Sequence, residues 1–301
     1  MSFDNAVINA KFLSIMPKKL EKIFIWFGLP VAVFITRLIV PVILIAASTN
    51  LTIAQVFQII ISNPEKYQLA LENSLSKLDM FSGGFLIMVF IKFFVVDKNK
   101  TQWLRFFENS TPIKIIRKCP YGHIIVGLIV GYLCTMHMPF SFLIGMFTHE
   151  SLCVINQSIF KRITTVKNPK YNFIIPSFIY LEILDASFSL DGIAGAFAIS
   201  TNIFIVMIGL GIGAMYVRSL TIFFVEKKIL SKLYYLEHGS HYAIGFLALT
   251  MLTKETIAIE ESLVGGFSTM ILLASLVCSI AANNINQNKS LKKKNLESHN
   301  D

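Results

Sequence analysis

Charge is scarce in this 301-residue chain: 15% of residues are Asp, Glu, Lys or Arg, against roughly a quarter in soluble domains. Together with 54% hydrophobic residues and a mean hydropathy of +0.63, that scarcity excludes an ordinary soluble enzyme and points to a membrane protein. Period-two alternation is missing as well. The apolar runs are continuous, which excludes barrel strands and predicts helices, so the fold class is all-α. The four cysteines, Cys119, Cys134, Cys153 and Cys278, form no CxxC pair. They give no disulfide framework and are expected to be free, small, buried residues. No GxxxxGK[ST] segment is present, so the chain does not itself hydrolyse ATP. The stretch "THESLC" at 148–153 has Cys where an intramembrane zinc protease needs the second His. With no nucleophile and base evident in register, the chain is read as not an enzyme. No cleavable signal peptide is visible.

What is present is a succession of apolar runs, each long enough or nearly so for a hydrocarbon core about 30 Å thick. They lie at 23–47, 81–96, 121–136, 142–159, 173–198, 203–225, 242–253 and 263–282, with 2–15 as part of one more. The net charge of +9 does not indicate nucleic acid. Lys and Arg fall in alternate short connectors and in the tail "NKSLKKKN", which places those connectors and the C-terminus in the cytoplasm. The reading is a multi-pass protein of the cell inner membrane with about nine spans, whose partners are the lipid bilayer and no nucleic acid.

Two segments repeat. "SFDN" opens the chain at Ser2, and "SFSLDGIAGAFA" begins at Ser187. Each Ser-x-Asp is followed, in the next span, by Gly-Leu with an Arg nine positions after the Gly: "GLPVAVFITR" at 28–37 and "GLGIGAMYVR" at 209–218. An odd number of crossings separates the pair, so the halves run in opposite directions through the bilayer. Such inverted-topology repeats place a site near the midplane, built from discontinuous helices. The expected organisation is a first repeat with linker spans at 1–136, a connecting span at 137–172, a second repeat at 173–284 and a disordered basic tail at 285–301. The first repeat has only three residues before Asp4, and the favoured expectation is that the natural start lies upstream.

Acids inside a membrane cost about 2.5–3.5 kcal/mol each on insertion scales, which makes them functional candidates. Here they are Asp4, Glu150, Glu182, Asp185, Asp191 and Glu237. Glu182 and Asp185 are one turn apart, while Asp191 points away from Glu182 unless the helix breaks, as Gly192 and Gly195 permit. Asn5 takes the place of Gly192 in the first motif, with Asn9 one turn further on the same face. Oxygen ligands of this kind suit Mn²⁺, Mg²⁺ or Ca²⁺ better than Cu⁺. The candidate metal ligands are Asp4, Asn5, Glu182, Asp185 and Asp191. Arg37 and Arg218 stand well within spans, either as ion-pair partners of acids on neighbouring helices or as groups that keep the site acids charged. In "YLEHGSHYAIG", Glu237 and His241 share a face beside His238, a spacing open to metal or proton binding and equally to interfacial anchoring. Asn9, Arg37, Glu150, Arg218, Glu237, His238 and His241 are therefore pathway or ion-pair candidates.

These motifs, "SFDNAV", "LEILDASFSLDGIAGAFAIS" and "YLEHGSHYAIGFLAL", resemble those of the TerC family of bacterial integral membrane proteins, in its branch named only as a domain of unknown function. The resemblance implies a transporter-like fold with inverted halves and links to tellurite resistance and Mn²⁺ efflux. It carries Asp4 and Asn5 onto the first family motif and Glu182 and Asp191 onto the second; the acid that family members bear before the first Ser-x-Asp has no counterpart here. The expectation is a divalent cation exporter with no permanently bound cofactor, Mn²⁺ or another divalent cation being the substrate. The alternative is a membrane scaffold in a stress-response complex.

Overall fold

A computed structural model of the chain describes residues 2–14, 51–96, 102–119, 121–135, 139–165, 178–188, 203–254, 256–257 and 259–297, with scattered positions between 26 and 46 and residue 196. Among these residues all regular structure is helical. The elements are α1 (Ser2–Ser14), α2 (Ile53–Ser62), α3 (Pro64–Val95), α4 (Arg105–Glu108), α5 (Thr111–Lys118), α6 (Gly122–Thr135), α7 (Phe140–Thr165), α8 (Ile203–Glu226), α9 (Ile229–Lys232), α10 (Leu236–Thr253) and α11 (Glu261–Glu297), with a further helical stretch at 178–188.

Three stretches, 74–95 in α3, 204–226 in α8 and 262–284 in α11, are long and apolar enough to cross a membrane, and shorter apolar helices occur at Ile53–Ser62, Gly122–Thr135 and Phe140–Ile155. The chain is thus helical and of membrane type. Burial separates the three: 83% of the α3 window is buried but only 28% of the α8 and α11 windows. The outer pair instead presents Ile205, Ile208 and Ile212, and Leu273 and Val277, as helices bordering lipid do.

α3 is the central post, packed chiefly against α7 and α10. Its contact with α7 is close because both sides lack a side chain at the crossing. A methyl added at Gly145 would overlap the Phe81 carbonyl, and one at Gly84 would lie 2.5 Å from the Phe142 carbonyl oxygen. Small residues that let backbones meet are how helices associate where water gives no driving force. α1 lies against α8 and α10, with Ala6, Val7, Ile8 and Ala10 wholly buried.

Two expectations are corrected. Residues 53–62 and 64–80, expected as connector, are helical, because Thr52 closes a capping box with Gln55 and Asn63 caps α3 with Pro64 at its first turn. α11 runs through the basic segment as far as Glu297. Residues 285–297 hold no Gly or Pro and include four Lys and two Leu, so an existing helix propagates through them. The cysteines are free, as expected, but none is fully buried: Cys134 and Cys153 are half-buried, Cys119 and Cys278 exposed. Cys119 follows the last turn of α5, and Cys278 lies on the open face of α11 with Met270, Leu273 and Val277.

Candidate functional site

Asn5 and Asp185, 180 positions apart, meet inside the protein: Asn5 Nδ2 donates to Asp185 Oδ1 at 2.6 Å. α1 brings the amide and the 178–188 stretch brings the carboxylate. One turn before Asp185, Glu182 accepts from Arg218 Nη2 of α8 at 2.9 Å, and the same Nη2 reaches the Gly28 carbonyl oxygen at 2.6 Å. Each of these side chains is nearly closed off, with Asn5, Glu182, Asp185 and Arg218 all between 4% and 6% exposed. Asn9 is 1% exposed, and the side-chain oxygens of Asn5 and Asn9 have no hydrogen-bond partner among the described residues. α1 therefore shows two bare amide oxygens one turn apart, on the face that meets the acid-bearing stretch.

A second polar group lies where α1, α10 and residues 102–118, in the connector between α3 and α6, meet. Lys11 forms an ion pair with Glu237 and sits over the Phe93 ring, 4.8 Å from its centroid. The other face of the contact is a stack of Phe93 on His241 at 3.6 Å, and His241 Nδ1 donates to the Glu237 carbonyl oxygen at 2.8 Å. His238 turns away from this pair, its Nε2 3.6 Å from Glu108 Oε2. Tyr242 donates to the other oxygen of Glu108 at 3.1 Å, which also accepts the Leu104 N–H at 3.3 Å. The carboxylate of the short α4, 3% exposed, thus pins the 102–118 connector into the bundle.

A third group surrounds Glu150 on α7. Its Oε2 stands 3.5 Å from Lys92 Nζ of α3 and 3.4 Å from His123 Nε2 of α6, and its Oε1 accepts from His149 Nδ1 at 3.2 Å. Three helices converge on one carboxylate. At 20% exposure for the Glu150 side chain, the group reaches the edge of the bundle.

Of the candidates from the sequence, Asn5, Asp185, Glu182 and Arg218 come together, with Asn9 on the same face of α1. Glu237 and His241, whose spacing is open to metal or proton binding and equally to anchoring, are engaged with Lys11 and with backbone. Glu150 belongs to a separate group on α7. Arg37, Asp191 and the side chain of Asp4 lie outside the described residues, as does most of the second Ser-x-Asp segment. Among the described residues no group of three or more His, Cys, Asp and Glu is arranged to hold a metal ion. Sequence reasoning missed Lys11, Lys92, Glu108, His123 and Tyr242. Lys92 was detectable as a lone cation in an apolar run; Glu108 sits in a polar connector and carries no such signal.

The motifs that meet in space, from Asn5 to His241, lie within the 3–286 region matched by the family described as Protein of unknown function (DUF475). The chain belongs to this family. No curated protein matches it, and no solved structure does. The family match takes in all three polar groups as well as α1 and nearly all of the apolar part of α11.

Proposed function

We propose that the chain exports divalent cations, Mn²⁺ foremost, across the cytoplasmic (inner) membrane. One observation carries the reading: the 2.6 Å bond from Asn5 to Asp185 joins the first Ser-x-Asp segment to the stretch that leads into the second. The side-chain oxygens of Asn5 and Asn9 are without a hydrogen-bond partner among the described residues. A buried acceptor without a donor costs about 1–3 kcal/mol, and a hard cation held by oxygen ligands removes that cost. Asp4, Asn5, Glu182, Asp185 and Asp191 form the donor set in this reading. Arg218 occupies one oxygen of Glu182, so Glu182 becomes a ligand as that pair opens, which couples arrival of the cation to movement of α8. The chain then has about nine spans in two inverted halves with discontinuous helices, and its C-terminus is cytoplasmic. Without an ATP-binding motif, uphill export draws on proton exchange. The resemblance to the TerC family supports Mn²⁺ as the cation and the link to tellurite resistance.

A membrane scaffold is the second reading, favoured by Phe106, 98% exposed on the pinned connector. The two part in one experiment on Mn²⁺-loaded cells. Export through the site predicts that deleting the gene raises cell Mn²⁺ by elemental analysis, and that Asp185→Asn and Asn5→Ala each slow efflux by roughly tenfold or more. Efflux at the wild-type rate in both variants would refute the site. Phe106→Ser as the variant with a phenotype would favour the scaffold.

A further inference from the structure

The group on α7 holds more than ion pairing requires. His149 donates from Nδ1 to Glu150 Oε1 at 3.2 Å, which leaves Nε2 of the neutral ring as an acceptor, and Nε2 lies 3.7 Å from Cys153 Sγ. A thiol, a base within its reach and an acid that orients the base are the parts of an activated nucleophile. One helix supplies all three, since positions 149 and 153 are a turn apart on the same face. The ring is held in place. It is 1% exposed, with Phe85 edge-on at 5.3 Å and Tyr180 at 6.3 Å. Facing it from the other helices are Lys92 of α3 and His123 of α6, which meet the same carboxylate. Glu150 is the one acid in the group, and its surroundings are otherwise cationic or neutral, the setting in which cysteines react. Cys153 is half-buried rather than sealed, while Lys92 and Glu150 are 16% and 20% exposed, so a small reagent has an approach. Cys119, Cys134 and Cys278 are all free, and none forms an internal disulfide with Cys153. An exchange partner therefore comes from outside the chain.

We propose that Cys153 is a nucleophilic thiol, with His149 as its base and Glu150 as the orienting acid, and a site of reversible S-thiolation by low-molecular-weight disulfides. His149 Nε2 takes the thiol proton as Sγ bonds to one sulfur of the disulfide. The S–S bond breaks, and the departing thiolate recovers the proton from His149. Cys153 is oxidised to a mixed disulfide, one half of the reagent is reduced to a thiol, and a second thiol reverses the step. Cation export is not required for any of this.

The test uses the full chain in detergent with 2,2′-dithiodipyridine as the disulfide, reading the rate at each cysteine by peptide mass spectrometry from about pH 5.5 to about 8.5. Cys134, also half-buried and on α6, with no imidazole hydrogen bond among the described residues, serves as the internal reference. An ordinary thiol loses about tenfold in rate per pH unit below its pKa, and Cys134 is expected to show that slope. Cys153 is expected to fall much less steeply and to react at least about tenfold faster than Cys134 near pH 6.5. His149→Gln should bring Cys153 down to the Cys134 line. Equal rates and equal pH slopes for the two cysteines in the native protein would overturn the proposal, whether or not the variant folds. So would a folded His149→Gln protein whose Cys153 keeps the native rate.

Discussion

Replacing Arg218 by Met separates the structural from the transport role of the buried pair. Arg218 and Glu182 are 5% and 6% exposed and joined at 2.9 Å. Met keeps much of the length of the side chain and removes its charge, so Glu182 stays in a dry interior without the cation that compensates it. Removing one partner of a buried pair costs about 3–5 kcal/mol. The loss of the 2.6 Å bond to the Gly28 carbonyl adds about 1 kcal/mol. At roughly 2 °C per kcal/mol for a long chain, the variant should melt about 8–12 °C lower in detergent, read by intrinsic fluorescence or dye binding. Glu182→Gln in the same background removes the stranded charge. The double variant should lose less than the two single losses added together, by a coupling of up to about 3 kcal/mol in the cycle. If Arg218→Met melts with the wild type, or the double variant falls by the sum of the singles, the pair does not hold these helices together and the burial argument fails. Export by the double variant, read beside its melt, then reports on Glu182 as a ligand.

Two further perturbations probe the frame around the site. Gly145→Leu should lower stability by about 1–3 kcal/mol, seen as an earlier melt, because the added side chain collides with the Phe81 carbonyl where α3 meets α7. Gly209→Leu, with nothing within 4 Å of the new Cβ on the open face of α8, should change it by no more than about 0.5 kcal/mol; equal losses would show that the α3–α7 contact is not the tight one. Tyr242→Phe should cost about 1–2 kcal/mol through the lost 3.1 Å bond to Glu108 and should speed proteolysis within 102–118, since that carboxylate fastens the connector; an unchanged digest would refute the fastening role.

The parts of this molecule legible in the sequence are those fixed by local pattern. Continuous apolar runs and sparse charge announce helices in a membrane, and that follows from what an anhydrous core allows backbone groups to do. Asn5, Glu182, Asp185 and Arg218 stood out because polar groups in such runs are expensive, and the structure brings these four together. Their partners were beyond reach. Whether Arg218 meets Glu182, or Lys11 meets Glu237, depends on which helices lie side by side, and no spacing along one helix carries that information. The basic connector at 97–118 is assigned to the cytoplasm by its Lys and Arg, and within it Glu108 is deeply buried, because an ordinary polar loop and one plugged into a bundle have the same composition.

The segment "THESLC" shows how a pattern can be visible while the roles of its residues are not. As a metal motif it fails, since Cys153 stands where a second His is needed, and that test is correct for a zinc protease. The same i, i+4 spacing that would have aligned two histidines on zinc aligns His149 Nε2 with Cys153 Sγ at 3.7 Å. What distinguishes a spectator pair from an activated one is the third group. Glu150 follows His149 directly in the chain, and adjacent positions on a helix do not ordinarily face each other. The 3.2 Å contact to Nδ1 arises because Lys92 and His123, from α3 and α6, hold the carboxylate from its other side. The chemistry of α7 is therefore set by two neighbouring helices, and a sequence search confined to α7 finds its residues without their roles.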